Sequence, residues 1–141
     1  MAEAITTANP PVAPTTPAQG KKILIIDDDS FLLDMYALKF KQSGFEVDTA
    51  LGSVSALEKA RNGAAPDIML LDLVMPVMDG FELLEKLKEE NLVEKTIKIV
   101  LSNRGESSDV DRARELGAKG YIVKASCTPS EVITKVLEYT R

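Results

Sequence analysis

Histidine and tryptophan are both absent from this sequence, a single cysteine (Cys127) is present, and aromatic residues make up only 5%. Without an imidazole there can be no histidine metal site, no histidine-based triad and no imidazole acid–base catalysis within the chain. One thiol excludes an internal disulfide. No apolar run approaches the roughly 18 residues of a membrane-spanning helix, and the amino end lacks the basic-then-apolar pattern of a secretory signal. A cytoplasmic protein without membrane contact is therefore expected. Positive charge is also short, with 17 Lys and Arg against 22 Asp and Glu and a net charge of −5. Such a balance offers no basic field for a nucleic-acid backbone, so no nucleic-acid partner is expected. Any chemistry must run on carboxylates, hydroxyls or lysine.

The 141 residues, 45% hydrophobic and 28% charged, suit one ordinary globular domain. Residues 1–20 hold four of the seven prolines (Pro10, Pro11, Pro14 and Pro17) and Glu3 as their only charged side chain. They cannot bury enough apolar area to offset the entropy of ordering, so a disordered tail is expected there and a folded domain over 21–141.

From residue 21 onward, short apolar runs alternate with amphipathic stretches about five times. Residues 23–26, 68–71 and 97–101 are nearly unbroken apolar runs, as in parallel strands covered on both faces. Residues 45–50 alternate, placing Phe45, Val47 and Thr49 against Glu46 and Asp48, which predicts an edge strand with one wetter face. A short strand over 121–123 would form the opposite edge.

The first helix is expected to cap at Asp29 or Ser30, bury Leu32, Met35, Tyr36 and Phe40, and stop at Gly44. A second begins near Ser53 with Val54, Leu57 and Ala60 inward and stops at Gly63. The third, over 79–90, is capped by Asp79 and turns in Phe81, Leu84 and Leu87. The fourth, over 108–116, has only Val110, Ala113 and Leu116 to bury, so weak attachment is expected. Thr128, Pro129 and Glu131 make a capping box ahead of Val132, Ile133, Val136 and Leu137 in the fifth. Five βα units predict a three-layer α/β (βα)5 domain of flavodoxin-like type, with a parallel sheet in the order 2-1-3-4-5.

In that order ligands meet the carboxyl ends of the strands. The residues interrupting the apolar runs there are Asp27, Asp28 and Asp29 after the first strand, Asp72 after the third, Ser102 after the fourth and Lys124 after the fifth. Carboxylates brought within a few ångströms repel one another unless a cation lies between them, and a hard divalent ion such as Mg²⁺ meets that need. Asp29 reads better as a helix cap. Asp72 is a candidate nucleophile toward a phosphoryl group, with Lys124 supplying a compensating cation and Ser102 a hydroxyl.

The motifs IIDDDS (25–30), LLDLVMPVMDG (70–80), VLS (100–102) and GAKGYIVK (117–124) resemble the receiver domain of bacterial two-component response regulators, over residues 21–141. The resemblance implies that Asp72 is the phosphoacceptor in a phosphorelay. It implies that Asp28, Asp72 and the backbone carbonyl of Val74 ligate Mg²⁺ directly, with Asp27 acting through water, and that Ser102 and Lys124 hold the phosphoryl group. The donor it implies is a phosphohistidine on a sensor kinase or phosphotransfer protein, which would supply the imidazole this chain lacks. Tyr121 matches the family's switch aromatic, paired with Ser102. The chain would catalyse its own phosphorylation and dephosphorylation without being an enzyme in the ordinary sense. Ending soon after the fifth helix, it is expected to lack a DNA-binding output domain and to act on an unidentified effector protein, as a monomer or an activation-dependent dimer.

Two features qualify this picture. The family places proline after the conserved lysine, commonly with a cis bond, whereas Ala125 stands here. A cis bond without proline costs about 3 kcal/mol, so either the bond is trans and re-aims Lys124 or packing enforces cis. Asn103, a position often smaller in the family, and apolar Val74 are expected to hinder attacking water, with Arg104 also flanking its path. Cys127 reads as a small apolar filler, and Met75 and Met78 as loop packing. The alternative reading is a small haloacid-dehalogenase-like phosphatase using Asp27 and Asp29 as a D-x-D pair, but Phe31 stands where that motif wants Thr or Val. A flavodoxin-type cofactor site is disfavoured because an uncompensated Asp triplet repels phosphate.

Overall fold

The computed structural model describes residues 20–140. The tail expected at the amino end lies almost wholly outside them. Five strands, β1 (Lys22–Asp27), β2 (Glu46–Leu51), β3 (Ile68–Leu71), β4 (Ile97–Ser102) and β5 (Ala118–Val123), alternate with α1 (Ser30–Gln42), α2 (Ser53–Arg61), α3 (Gly80–Glu89), α4 (Ser107–Glu115) and α5 (Pro129–Tyr139). All pairings are parallel, and the sheet order is β2-β1-β3-β4-β5, as the alternation predicts.

Period-2 alternation divides the apolar strand residues between two faces. Ile23, Ile25, Ile68, Leu70, Ile99 and Leu101 pack beneath α1 and α5, joined by Phe40, Val132 and Val136. Leu24, Ile26, Met69, Leu71 and Val100 pack beneath α2, α3 and α4, joined by Leu57, Phe81, Leu84 and Leu87. Within the α1 layer the Phe40 and Phe45 rings meet edge to face, their centroids 5.0 Å apart, a geometry their quadrupoles favour.

Several elements depart from the expected pattern. In α1, Leu33 is buried with Tyr36 and Phe40, while Leu32 and Met35 are half-buried at the margin. The inward face of α2 is Ser53, Ala56, Leu57 and Ala60, and Val54 is exposed. Three of those four side chains are small, and Ser53 is polar, so a hydrophobicity pattern hardly registers the inward face. β4 keeps the nearly unbroken apolar run expected of it, with Lys98 as the one interruption between Ile97 and Leu101. Its ammonium escapes the sheet by donating to the carbonyls of Val93 at 2.9 Å and Thr96 at 3.4 Å. β5 is six residues long rather than three. A register shift against β4 brings Gly120 opposite Ile99, and a Cβ at Gly120 would sit 2.6 Å from the Tyr139 ring.

The caps follow the sequence more closely. Asp29 Oδ1 accepts from the N–H groups of Phe31 and Leu32 and caps α1. Asp79 and Glu82 form a capping box on α3, and Thr128 and Glu131 form one on α5 with Pro129 at its first turn. In the α5 box the Thr128 hydroxyl accepts from the Glu131 N–H at 3.2 Å, and the Glu131 carboxylate accepts from the Thr128 N–H at 2.8 Å. Those bonds from Thr128 hold the Glu131 carboxyl below its ordinary pKa. Thr128→Ala is expected to cost about 1 kcal/mol of stability in urea denaturation at neutral pH. Because the folded-state pKa of Glu131 is depressed, its contribution is present above the unfolded value and fades as pH falls through the folded one. Glu131→Ala, which removes the carboxylate that accepts the Thr128 N–H, should therefore destabilise the protein by a margin that narrows in acid; a margin unchanged there would show that the charge on Glu131 adds nothing to the cap.

Candidate functional site

The sheet ends at its carboxyl edge wherever a polar residue interrupts an apolar run, and those interruptions assemble the site. Asp27 closes β1, Asp72 follows β3 directly, Ser102 closes β4, and Lys124 opens a 3-10 turn (Lys124–Ser126) immediately after β5. Asp27 and Asp72 are buried, Ser102 is wholly inaccessible, and Asp28 beside them is exposed.

Lys124 joins the two buried acids. Its Nζ donates to Asp27 Oδ2 at 2.9 Å and to Asp72 Oδ2 at 3.0 Å. Each carboxylate spends its other oxygen on backbone: Asp27 Oδ1 accepts from the Asp29 N–H at 3.0 Å, and Asp72 Oδ1 from Leu73 at 2.7 Å and Val74 at 3.3 Å. Burial pushes the Lys124 ammonium toward deprotonation, but the hydrogen bonds to Asp27 and Asp72 outweigh it and hold its pKa above the ordinary lysine value. The amine is therefore a fixed cation at neutral pH. The peptide bond to Ala125 is trans, as are all those among the described residues, and Lys124 still reaches both acids. Of the two geometries open to a lysine without a following proline, the trans one is realised.

Carboxylate oxygens of Asp27, Asp28 and Asp72 lie within 4.8 Å of one another. Three carboxylates against one ammonium leave two negative charges without a partner. An oxygen-only cluster with that residual charge fits a hard dication. Asp29 is not part of the cluster, because its Oδ1 is committed to the first turn of α1; the D-x-D reading loses its second acid.

Ser102, Arg104 and Tyr121 form a second connected group. The Ser102 Oγ accepts from the Arg104 N–H at 3.2 Å, and the Tyr121 phenol donates to the Arg104 carbonyl. Burial raises the Tyr121 pKa first, with the nearby Asp109 charge adding to it and Arg104 opposing, so the phenol remains a donor at neutral pH. Asn103 and the Val74 side chain are exposed, whereas the Arg104 guanidinium is turned aside and bonded to Asp109. Cys127 is half-buried against the core beside α5, and Met75 is buried in the loop after β3. Both placements agree with packing roles.

Asp109 escaped the sequence reading. The expected inward stripe of α4 was Val110, Ala113 and Leu116, but the buried side chains are Asp109 and Ala113. The available signal was spacing, since Asp109, Ala113 and Leu116 stand at i, i+4 and i+7, one helical face with an acid on it. α4 is otherwise held by polar contacts, including Arg112 stacked 4.3 Å above the centre of the Phe81 ring.

Known proteins with this arrangement are numerous. Residues 23–137 match the family described as the response regulator receiver domain. The chain is 33% identical over 117 residues to the alkaline phosphatase synthesis transcriptional regulatory protein PhoP of Bacillus subtilis, covering 83% of this chain and 47% of that protein. It is 34% identical over 115 residues to the phosphate regulon transcriptional regulatory protein PhoB of Rhizobium meliloti, covering 82% and 50%. The chain thus spans about half the length of these relatives. Among solved structures, chemotaxis protein CheY4 of Vibrio cholerae superposes with a TM-score of 0.78 at 27% identity, covering 85% of this chain and 98% of that one. A CheY-like receiver domain protein of Methanospirillum hungatei gives 0.76 at 30%, covering 86% and 94%. With sheet order, rim residues and sequence in agreement, the chain belongs to the response regulator receiver domain family.

Proposed function

We propose that this chain is the phosphoacceptor of a two-component phosphorelay, with Asp72 as the residue modified. The observation that carries the reading is the bridge from Lys124 to both Asp27 and Asp72, beside a cluster that retains two uncompensated negative charges. Mg²⁺ would be held by Asp28, Asp72 and the Val74 carbonyl, with Asp27 through water, and when bound would neutralise charge on the phosphoryl oxygens. An Asp72 carboxylate oxygen attacks the phosphorus of a phosphohistidine, the P–N bond breaks, and the departing imidazole belongs to the partner. Lys124 donates to one phosphoryl oxygen and the Ser102 hydroxyl to another. Water later cleaves the acyl phosphate to regenerate the carboxylate and release inorganic phosphate, with Asn103 and Val74 narrowing its approach.

The partners in this reading are a sensor histidine kinase or histidine phosphotransfer protein upstream and an effector protein downstream. Output passes through α4, β5 and α5, whose shared groove is lined by Val110, Ala113, Tyr121 and Tyr139 among others. The thin apolar attachment of α4 suits an element that shifts when Ser102 and Tyr121 rearrange. Among the described residues no helix is long and apolar enough to cross a membrane. In this reading the chain is a monomer at rest, and activation would pair it through the same face.

The direct test is titration with beryllofluoride, a phosphoryl mimic, with and without Mg²⁺, followed by tyrosine fluorescence. Saturable binding that requires Mg²⁺ is expected. Failure to bind in the presence of Mg²⁺, or binding indifferent to it, would overturn the reading.

A further inference from the structure

We propose that Asp109 is a positioning residue for the Ser102 hydroxyl, acting through Arg104; this rests on the role given to Ser102 above. A carboxylate is rarely buried unless it is paired, and Asp109 is 7% exposed on the helix with the least apolar attachment. An acid in a first helical turn ordinarily serves its own helix, by interacting with the dipole or returning a bond to the cap. Here the cap residue Glu106 makes no side-chain cap bond. Asp109 Oδ1 instead leaves the helix and accepts from Arg104 Nη2 at 2.8 Å.

That bond anchors Arg104 at its side chain, while its backbone serves the two residues expected to act as the switch. Its N–H donates to Ser102 Oγ, and its carbonyl receives the Tyr121 phenol. A serine hydroxyl has one proton to donate and two lone pairs to accept with. With the Arg104 N–H on a lone pair, the Ser102 proton is free to be given away, which is what a phosphoryl oxygen requires. Residues 103–106 are exposed and include Gly105, so the charge-assisted bond to a buried partner is what restrains the loop from its side-chain end. An exposed ion pair would restrain little; this one has its acid inside.

The test is a double-mutant cycle on beryllofluoride affinity in saturating Mg²⁺, using Asp109→Ala, Ser102→Ala and both together. Asp109→Ala is expected to weaken the mimic about fivefold, to leave Mg²⁺ affinity alone unchanged, and to have no further effect once Ser102 is alanine. Arg104→Ala, which alters the exposed end of the same pair, should reproduce the loss and keeps the test open if Asp109→Ala folds poorly. A loss that persists undiminished in the Ser102→Ala background would mark a purely structural role. Unchanged affinity in both single variants would also overturn the proposal. Either result leaves the phosphoacceptor reading standing, whereas a parent protein that does not bind the mimic removes both.

Discussion

Asp72→Asn is expected to reduce phosphoryl incorporation from phosphoramidate and Mg²⁺ to background. The substitution keeps the shape of the side chain, and its carbonyl can still accept from the Leu73 and Val74 N–H groups that now meet Asp72 Oδ1. What it removes is the anionic oxygen facing Lys124, and an amide cannot form an acyl phosphate. It also turns amide hydrogens toward the ammonium and lowers the uncompensated charge of the cluster from two to one, so Mg²⁺ affinity should fall as well. Intact-mass measurement of parent and variant after a short incubation reads the result, with circular dichroism confirming that both are folded. Incorporation that persists in Asp72→Asn would move the acceptor to Asp27 or Asp28, the other carboxylates of the cluster.

Asp72 stands out as the candidate acceptor because it lies where a buried strand must end. Residues 23–26 and 68–71 are apolar throughout since both faces of those strands are covered, and the first acids beyond them fall on the rim. Caps were equally legible, as Thr128 and Asp79 act within three residues of themselves. Elements defined by what they leave room for were not. Gly120 hides most of β5 because its function there is to admit the Tyr139 ring, and the inward face of α2, with Ser53, Ala56 and Ala60 on it, carries little hydrophobic signature. In the site, residue types were readable but pair geometry was not: nothing in the order of residues indicates that Arg104 turns to Asp109 instead of the rim. Nor does it indicate that Val77, a β-branched and almost fully exposed residue, takes a positive φ of 70° in the loop after Asp72. Such a conformation costs on the order of 1–3 kcal/mol and persists only where its surroundings impose it.

At the other end of that loop the backbone of the proposed acceptor, Asp72, is held against α3, and Gly80→Ala should expose that contact. Gly80 opens α3, its N–H donates to the Leu73 carbonyl at 2.8 Å, and its φ is not in the left-handed region. Conformational freedom is therefore not why glycine stands there. A Cβ at this position would land on the carbonyl oxygen of Asp72 and within 2.8 Å of the Leu73 Cα. Both are main-chain atoms, so no rotamer change relieves the collision, and α3 must separate from the segment that carries the acceptor. Overpacking of this kind costs about 1–3 kcal/mol, and the displacement falls on the residue whose placement against Lys124 and Asp27 the chemistry needs. Gly80→Ala is thus expected to lose about 2 kcal/mol in urea denaturation and to weaken Mg²⁺ binding along with it. Gly105→Ala is the control, since the Cβ there would meet side-chain atoms of Val123, a methyl at 2.9 Å first, and no main-chain atom of the segment that carries Asp72. If Gly80→Ala were as stable as Gly105→Ala and bound Mg²⁺ as the parent does, the backbone contact between α3 and Asp72 would not be what holds the acceptor in register.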